Sequence, residues 1–250
     1  MSALLQGRMA IVTGAGSGIG LATAQLFARE GAQVMLTGLQ QDELDAATAA
    51  ITAAGGQAIA MVADSADPAS PARVFTRAIE AFGAVHILVN NAGIGDMVTI
   101  EDCSDEHFER VLQVNYAGVF RYCREAVRHF MPRNEGVIVN VTSVNGTLPG
   151  AGVAYTSSKG AVNTMTKNIA IRCNAVAPGR TDTPMARSWA AGALPGGSQM
   201  REHAACYSNG QLPPTQPIDQ ANAILYLASD LSRAVTGRVL VVDNGAYMAA

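Results

Sequence analysis

The sequence predicts an α/β fold, a doubly wound parallel sheet that is flanked by helices on both faces. Short β-rich segments alternate with longer helical segments along the chain, which implies parallel strands joined by crossovers. Most of the β-rich segments are continuously apolar, as expected for strands that are covered on both sides. A glycine-rich turn follows the first of them, at residues 14–20. These features are typical of a Rossmann-like domain, which we expect to span residues 1–250 as a single unit.

Each element follows from a local pattern. Strands are expected where β-branched and apolar residues form short runs, at residues 9–13, 33–37, 58–62, 87–90, 137–141, 173–177 and 238–242. Helices are expected where the segments between those runs are longer and rich in helix-forming residues, at 19–30, 42–54, 69–82, 106–131, 155–171 and 218–227. Residues 180–217 break this rhythm.

The irregular segment combines several prolines and glycines with apolar residues such as Met185, Trp189 and Met200. Proline and glycine argue against long regular elements, whereas the apolar residues argue against a disordered linker. The composition favours a flap at about residues 184–214 that folds over a bound ligand. An ordinary ordered surface excursion is the alternative.

The composition excludes several classes of function. With 49% hydrophobic and 15% charged residues, the 250-residue chain can bury a substantial core. Its net charge of -3 and the absence of a basic cluster argue against a nucleic-acid partner. No segment reads as a signal peptide or a membrane span, so we expect no membrane partner. The four scattered cysteines are typical of reduced thiols in a cytoplasmic protein, and no histidine pattern predicts a metal site.

Tyr155 and Lys159 form the most informative pair in the chain. A spacing of four places both side chains on one face of a helix. A phenol titrates near about 10 in water, but a neighbouring ammonium favours the phenolate and lowers its pKa. The chain contains only two lysines, Lys159 and Lys167, and otherwise uses arginine for positive charge. The pair therefore predicts an acid/base that functions near neutral pH, with a solvated surface pair as the alternative.

Two other motifs lie where strands of such a sheet end. Glycines at 14, 16, 18 and 20 would let the backbone turn tightly and approach a pyrophosphate on the N-terminus of a helix. The fourth strand runs into Asn90-Asn91-Ala92-Gly93, where small residues permit the close approach of a ligand ring. The carboxyl ends of parallel strands are where these folds bind ligands, although a simple turn would also suit the second motif.

Asn115 and Ser143 are further candidates. Asn115 lies among apolar residues in a helix, so its amide must find hydrogen bonds, either to cap a neighbouring element or to hold a water. Ser143 follows the fifth strand, where its hydroxyl could donate to a substrate oxygen or cap a helix. Its surroundings do not match the G-x-S-x-G elbow of hydrolases.

Six features, taken in order along the chain, resemble the motifs of the classical short-chain dehydrogenase/reductase family. They are T-G-x-x-x-G-x-G at 13–20, N-N-A-G at 90–93, Asn115, Ser143, Y-x-x-x-K at 155–159 and P-G at 178–179. The resemblance covers nearly the whole chain. It implies a cytoplasmic oxidoreductase that transfers hydride reversibly between NAD(P) and a secondary alcohol or ketone. It also implies a small-molecule substrate and assembly into a homotetramer or homodimer.

The resemblance also implies roles for individual residues. Tyr155 would be the catalytic acid/base, Ser143 would orient the substrate oxygen, and Asn115 would hold a water in the proton relay. Lys159 would bind the nicotinamide ribose and lower the Tyr155 pKa. The residues implied to contact the cofactor are Gly14, Ser17, Gly18, Ile19, Gly20, Gly38, Leu39, Asp64, Ser65, Asn91, Ala92, Gly93, Tyr155, Lys159, Pro178, Gly179, Thr181 and Thr183.

Few residues in the sequence distinguish a preference for NAD(H) from a preference for NADP(H). Gly38 occupies the position where members that use NAD carry an acid, and Leu39 the position where members that use NADP often carry an arginine. Ser17 in the glycine-rich turn is not basic either. A 2′-phosphate needs a charge partner and none is visible, so the sequence favours NAD(H) over NADP(H).

The connection after the expected helix 155–171 is unusually short. The chain must reverse before the strand that begins at Cys173, and such a loop normally takes about 2–6 residues. Family members are several residues longer at this point, so we hypothesise that a loop has been lost. In that case the helix should lose a turn, and the face that members use for dimerisation should be altered.

Two alternatives to an alcohol dehydrogenase or carbonyl reductase remain open. A 3-oxoacyl-thioester reductase of the same family would show arginines around the substrate site and a preference for NADPH. A dinucleotide-sensing or scaffold protein would bind the cofactor without turnover. Ser143, Tyr155 and Lys159 together argue against the second alternative.

Overall fold

The sheet is fully parallel in the computed structural model, which describes residues 3–192, 200, 202 and 205–247. In these ranges it has seven strands, in the order β3-β2-β1-β4-β5-β6-β7. They are β1 Met9–Thr13, β2 Gln33–Gly38, β3 Gln57–Val62, β4 Ile87–Asn90, β5 Val137–Val141, β6 Arg172–Pro178 and β7 Val239–Val242. Each expected strand is confirmed to within about a residue at either end.

Helices cover both faces of the sheet, which confirms the doubly wound α/β prediction. The described helices are α1 Gly18–Arg29, α2 Gln41–Ala53, α3 Ser70–Phe82, α4 Asp105–Leu112, α5 Val119–Phe130, α6 Val153–Thr166, α7 Pro184–Ala190 and α8 Pro217–Ala228. Helices α1, α2 and α8 share one apolar core, and α3, α5 and α6 share the other. None of the helices in the described ranges has the length and apolar character that a bilayer crossing requires.

Alternation along each central strand feeds both cores. In β1, Ala10 and Val12 face one core, whereas Met9 and Ile11 face the other. All four side chains are at most 1% exposed, so the strand has no polar face. Burying the larger side chains, Met9, Ile11 and Val12, stabilises the fold by roughly 1.5–3 kcal/mol each, which explains why these apolar runs form the centre of the sheet.

The strand order places the candidate site. The chain moves outward from β1 to β2 and β3, and then returns to place β4 on the other side of β1. The loops after β1 and β4 therefore leave in opposite directions and open a crevice at the carboxyl edge of the sheet. The glycine-rich turn follows β1, and the N-N-A-G motif overlaps the end of β4.

Two expected helices differ in the structure. The expected helix 106–131 consists of α4, a π-helical segment at Gln113–Gly118 and α5. The expected end of the next helix at residue 171 is wrong, because α6 ends at Thr166 and β6 already begins at Arg172. The chain needs residues 167–171 to reverse direction. The helix is therefore about one turn shorter than expected, as the short connection predicted.

The segment expected to form a flap is described only in part. Residues 193–199, 201, 203 and 204 of the range 184–214 lie outside the described residues. The described beginning is α7, a short helix that the sequence analysis did not predict. Pro184 stands at its start, where proline is tolerated because the first N–H groups of a helix have no helical partner.

Candidate active site

The glycine-rich turn is packed tightly against the loop after β4. Gly14 has a φ of +62°, and a Cβ on Gly20 would overlap with the Gly14 carbonyl oxygen. The Asn91 amide donates hydrogen bonds to the carbonyls of Thr13 (3.0 Å) and Gly14 (2.9 Å). Only glycine fits these two positions without a shift of the backbone, so the turn depends on them.

The turn delivers a helix N-terminus to the crevice. Ser17 precedes α1 and makes no side-chain cap, so the first N–H groups of α1 have no capping partner in the described structure. Gly18, Ile19 and Gly20 form the first turn of this helix. Uncapped N–H groups and the helix dipole favour an anion at this point, as a cofactor pyrophosphate would require.

Thr13 connects the turn to the N-N-A-G loop. Its hydroxyl oxygen accepts hydrogen bonds from the backbone N–H groups of Asn91 and Ala92, both at 3.0 Å. In the sequence, Thr13 is recognisable only as the first residue of the glycine-rich motif. In the structure it holds Asn91 and Ala92 against the end of β1, and so fixes the floor of the crevice.

Asn115 satisfies its amide by fastening the next part of that loop. It is fully buried in the π-helical segment, which displaces it from regular α-helical geometry. Its carbonyl accepts from the Ile94 N–H (2.9 Å), and its NH₂ donates to the Ile94 carbonyl (2.8 Å) and to Ser158 Oγ (3.2 Å). π-Helical segments are frequent at functional sites, and this one ties the loop to α6.

Ser143, Tyr155 and Lys159 converge beside this loop. Each of the three is at most 7% exposed. Lys159 Nζ donates to the Val141 carbonyl (2.9 Å) and lies 5.7 Å from the centre of the Tyr155 ring. A Cβ on Gly93 would lie 3.2 Å from Asn115 Oδ1 and 3.4 Å from Lys159 Nζ. The structure therefore brings together the four residues that the sequence analysis assigned to catalysis.

The direction of the Tyr155 pKa differs from the expectation. Burial raises the pKa of Tyr155 to about 12, and a hydrogen bond with Ser143 offsets only part of this effect. Burial also lowers the pKa of Lys159 to about 8. Desolvation penalises the charged form of both groups more than their proximity favours it. Burial therefore favours the protonated form of Tyr155 at neutral pH.

The first turn of α2 places an acid beside the glycine-rich turn. Gly38 lies against the Leu44 side chain and near the Gly16 backbone, while Leu39 is 55% exposed. A Cβ on Gly16 would lie 2.6 Å from Glu43 Oε2, so this carboxylate borders the turn. Glu43 was not predicted from the sequence, because the expected position of a cofactor acid is the end of β2 and not the first turn of α2.

Asp64 and Ser65 lie at the end of β3. Asp64 accepts a hydrogen bond from the Ala66 N–H (2.8 Å) and lies 3.6 Å from Arg110. Ser65 is 8% exposed, and a Cβ on Gly118 would overlap with its carbonyl oxygen. Both residues therefore occupy the carboxyl edge of the sheet, where the implied adenine contacts require them.

The four implied contacts after β6 divide into two groups. The buried Pro178 ends the strand, and the N–H of the next residue, Gly179, donates to the Val242 carbonyl (3.0 Å). Thr183 caps α7 through the Ala186 N–H (3.2 Å) and packs against Gly18. The Thr181 hydroxyl instead contacts Thr215 Oγ1 (2.9 Å) and the Gln220 amide (3.3 Å). Its hydroxyl is thus occupied within the fold.

Asp96 is a buried acid that the sequence analysis also missed. It is fully buried, and its carboxylate accepts from the N–H groups of Val98 and Tyr155, both at 3.0 Å. A Cβ on Gly152 would overlap with Asp96 Oδ1, so the carboxylate needs a glycine beside it. A negative charge at the N-terminus of α6 stabilises this helix, and the hydrogen bond to the Tyr155 N–H holds the backbone of Tyr155 in place.

We expect Asp96→Asn to lower the free energy of unfolding by about 1–3 kcal/mol, because an amide cannot accept both N–H bonds in the same way. Urea unfolding followed by circular dichroism would measure the change. Asp102→Asn is the matched control, since Asp102 is exposed and contacts only the Thr99 hydroxyl among the contacts described for it (3.3 Å). Equal stability of Asp96→Asn and the wild type would contradict this role.

The described residues contain no cluster of three or more His, Cys, Asp or Glu side chains arranged to hold a metal ion. The candidate site instead consists of hydroxyls, one amine, amides and an uncapped helix terminus. Such groups can bind a phosphate-containing cofactor and can donate or accept a proton at a substrate oxygen.

Comparison with known proteins agrees with this assembly of motif and fold. Residues 8–193 match the family model described as short chain dehydrogenase. The chain belongs to the short-chain dehydrogenase family. Its members act as oxidoreductases with NAD(H) or NADP(H), and the observed parallel sheet with helices on both faces is their fold.

Individual family members cover the chain almost end to end. It is 34% identical to versicolorin reductase stcU of Emericella nidulans, over 97% of both chains. It is 37% identical to the NADP-dependent (R)-specific alcohol dehydrogenase of Lentilactobacillus kefiri, over 98% of both chains. The crystal structure of levodione reductase superimposes with a TM-score of 0.87 at 30% identity, covering 96% of this chain and 98% of the other.

Proposed function

We propose that this short-chain dehydrogenase interconverts a secondary alcohol and a ketone, with Tyr155 as the general acid/base. The observation that carries the proposal is the convergence of Ser143, Tyr155 and Lys159, each buried, beside the loop after β4. A nicotinamide cofactor fits the residues present, because the close-packed glycine-rich turn and the uncapped α1 supply a phosphate cradle. When bound, the cofactor supplies or accepts the hydride.

In the direction of reduction, negative charge develops on the substrate oxygen. The hydroxyls of Ser143 and Tyr155 stabilise this charge by donating hydrogen bonds to the oxygen, and Tyr155 then transfers its proton. Burial raises the pKa of Tyr155 to about 12, so the phenol holds the proton that this step would transfer. The Ser143 oxygen already accepts the Asn145 N–H (3.1 Å), which orients its own proton away from that backbone group.

Lys159 and Asn115 organise the proton path. Lys159 is held by the Val141 carbonyl and so presents its remaining N–H donors toward Tyr155 and Gly93, where ribose hydroxyls of the cofactor would accept them. Asn115 keeps Ile94 and Ser158 in place, which fixes the loop and the helix that enclose this path. Its implied role in holding a water remains part of the proposal.

The direct test follows the absorbance of reduced nicotinamide with a panel of alcohols and ketones and with both cofactors. Turnover of secondary alcohols or ketones that depends on cofactor is the expected result. Turnover of 3-oxoacyl thioesters alone, with NADPH, would favour the acyl-thioester alternative. Cofactor binding without turnover of any compound would favour the dinucleotide-sensing alternative.

We further propose NAD(H) as the preferred cofactor. The Glu43 carboxylate borders the glycine-rich turn, where it would accept hydrogen bonds from an adenosine ribose and repel a 2′-phosphate. Leu39 offers no positive charge at the neighbouring position. The alcohol dehydrogenase of Lentilactobacillus kefiri is NADP-dependent by name, so this proposal separates the present chain from that relative.

We expect the dissociation constant of the wild type to be at least about ten-fold lower for NADH than for NADPH, a difference of about 1.4 kcal/mol. Glu43→Gln should reduce this ratio several-fold, chiefly by improving NADPH binding. Asp42→Asn, which removes the neighbouring acid on the same helix, is the control and should leave the ratio unchanged. A wild-type preference for NADPH would refute the proposal, and fluorescence titration of both cofactors measures it.

The protein is also proposed to act as a homo-oligomer, a dimer or tetramer, in the cytoplasm. Phe108, Tyr116 and Phe120 are 38%, 36% and 46% exposed on the segment from α4 to α5, and such aromatic surface favours association. All four cysteines are free thiols, as expected in a reducing compartment. Light scattering of the purified protein would give the number of chains in the assembly.

A further inference from the structure

A single tryptophan lies against the proposed acid/base. Trp189 is the only tryptophan among the 250 residues, and it occupies the last turn of α7. Its ring centre is 5.6 Å from that of Tyr155, and the two ring planes meet at 87°. This edge-to-face contact is the favoured geometry for two aromatic rings and positions the indole beside the reacting hydroxyl.

The surroundings of Trp189 form a small apolar cluster, distinct from the two cores of the sheet. Met97, Ala151 and Tyr155 are its buried members, and Trp189 and Met200 pack against them. Each of these residues presents hydrocarbon, sulfur or ring surface. Methionine side chains are flexible and adapt to apolar groups of different shape, so two of them suit a binding wall better than a fixed structural contact.

The indole of Trp189 packs against Gly95, where the absence of a side chain leaves room for it. A Cβ on Gly95 would lie 2.6 Å from Trp189 Cζ2 and 2.8 Å from Nε1, so any larger residue would push the ring away. Gly95 lies two residues after Gly93, the last residue of the N-N-A-G motif. The ring is therefore seated against the loop that also carries Gly93, next to Lys159.

The polar end of the indole, its N–H group, lacks a hydrogen-bond acceptor among the described residues. Trp189 Nε1 is buried and makes no hydrogen bond within the described parts of the chain. A buried N–H without a partner is unfavourable, and a ligand oxygen would satisfy it. Trp189 therefore offers an apolar ring together with one unsatisfied donor, a combination that is common in ligand sites.

Helix α7 also connects the two halves of the site. Its cap residue Thr183 and its first residue Pro184 lie 3.3 Å and 3.7 Å from a Cβ placed on Gly18. The other end of the same helix carries Trp189 to Tyr155. One short rigid element thus extends from the cofactor cradle to the acid/base, which fixes the position of the indole relative to both.

We propose that Trp189 determines substrate specificity and that the substrate carries its ketone or secondary alcohol on an apolar hydrocarbon ring. This inference rests on the proposed function, since it assigns the substrate class of the same site. A ring lies flat against aromatic and methionine surfaces and excludes water from the reacting oxygen. A small polar ketone would leave those surfaces exposed to water and would gain nothing from them.

The test compares cyclohexanone with hydroxyacetone as substrates of three enzymes. Trp189→Ala should lower kcat/KM for cyclohexanone at least about ten-fold, because even one methylene can be worth that factor in an apolar pocket. Its effect on hydroxyacetone should stay below about two-fold. Trp189→Phe keeps an aromatic ring and should remain within several-fold of the wild type for cyclohexanone. Tyr226→Ala, which removes a 39% exposed aromatic on α8, should change neither value.

A second measurement does not depend on turnover. Because Trp189 is the only tryptophan, the tryptophan emission of the wild type reports directly on this site. Cyclohexanone should change that emission with saturation, and hydroxyacetone should not. A change in emission without turnover would support the binding site and refute the proposed function. Turnover with equal losses for both ketones in Trp189→Ala, or with no loss, would overturn this inference and leave the proposed function intact. Circular dichroism and the Phe variant distinguish these results from misfolding.

Discussion

Replacing Tyr155 with phenylalanine is expected to lower kcat about 10²–10⁴-fold, the usual worth of a general acid/base. The substitution removes one oxygen atom and keeps the ring, so its edge-to-face contact with Trp189 should persist. The phenol is 7% exposed, and water has little access to replace the lost proton donor. Steady-state assays with a ketone and reduced cofactor would measure the loss.

The fold of the Tyr155→Phe variant should be unchanged, and its affinity for the cofactor should be within about two-fold of the wild type. Tyr226→Phe is the matched control, since it removes a hydroxyl from a tyrosine on the surface of α8. A Tyr155→Phe enzyme that retains most of its activity would show that another group transfers the proton. The assignment of Tyr155 would then be wrong, even though the family would stand.

Lys159→Met is expected to abolish most of the activity and, at the same time, to stabilise the fold at pH 7 by about 2 kcal/mol. Burial lowers the pKa of Lys159 from 10.5 to about 8, so the folded protein disfavours the ammonium by about 3 kcal/mol at about 1.4 kcal/mol per pKa unit. Methionine removes this cost but leaves the Val141 carbonyl without its donor, a loss of about 1 kcal/mol. A site that binds cofactor hydroxyls thus reduces the stability of the empty protein.

The sign of the pH dependence follows from the same shift. Below about pH 8, Lys159 is charged in both the folded and the unfolded protein, so the folded protein carries the full desolvation cost of the ammonium. Between about pH 8 and 10.5 the unfolded chain holds a proton that the folded chain does not, so the stability conferred by position 159 rises with pH. The advantage of Lys159→Met should therefore shrink across this window and largely disappear near pH 10.5.

Urea unfolding of both proteins at pH 7 and pH 10 would measure this difference. Burial raises the pKa values of Cys123 and Cys173, so both proteins should lose stability above about pH 9. That loss is common to wild type and variant and cancels when the two are subtracted. Lys159→Arg, which keeps a positive charge in the same place, should not be stabilised. A wild type that is more stable than Lys159→Met at pH 7 would contradict the argument.

Much of the fold follows from local pattern. Continuous apolar runs predict the strands because burial on both faces of a parallel sheet requires them. The spacing of the glycines, of Asn90-Asn91-Ala92-Gly93 and of Tyr155 and Lys159 predicts the site because each motif stands at the end of a strand or on one helix face. Helix ends were predicted less well. The π-helical segment at Gln113–Gly118 has no local signal, and its Asn115 makes hydrogen bonds to Ile94, which lies in a separate loop.

Glu43, Asp96 and Trp189 could not be found from spacing. Each reaches the site from a distant part of the chain, and its importance lies in what it contacts: Gly16, the Tyr155 N–H and the Tyr155 ring. A search for buried acids is possible only when burial is known. The fully buried carboxylate of Asp96 looks in the sequence like any other acid in a loop.

By itself the sequence determined the alternation of strands and helices, the glycine-rich cradle and the identity of the reacting groups, because these depend on residue type and on spacing within one element. Only the tertiary structure decided the pKa values of those groups. Tyr155 and Lys159 share a helix face as predicted, yet their pKa values move apart, to about 12 and about 8. Desolvation depends on everything that covers a side chain, and most of what covers these two comes from other elements.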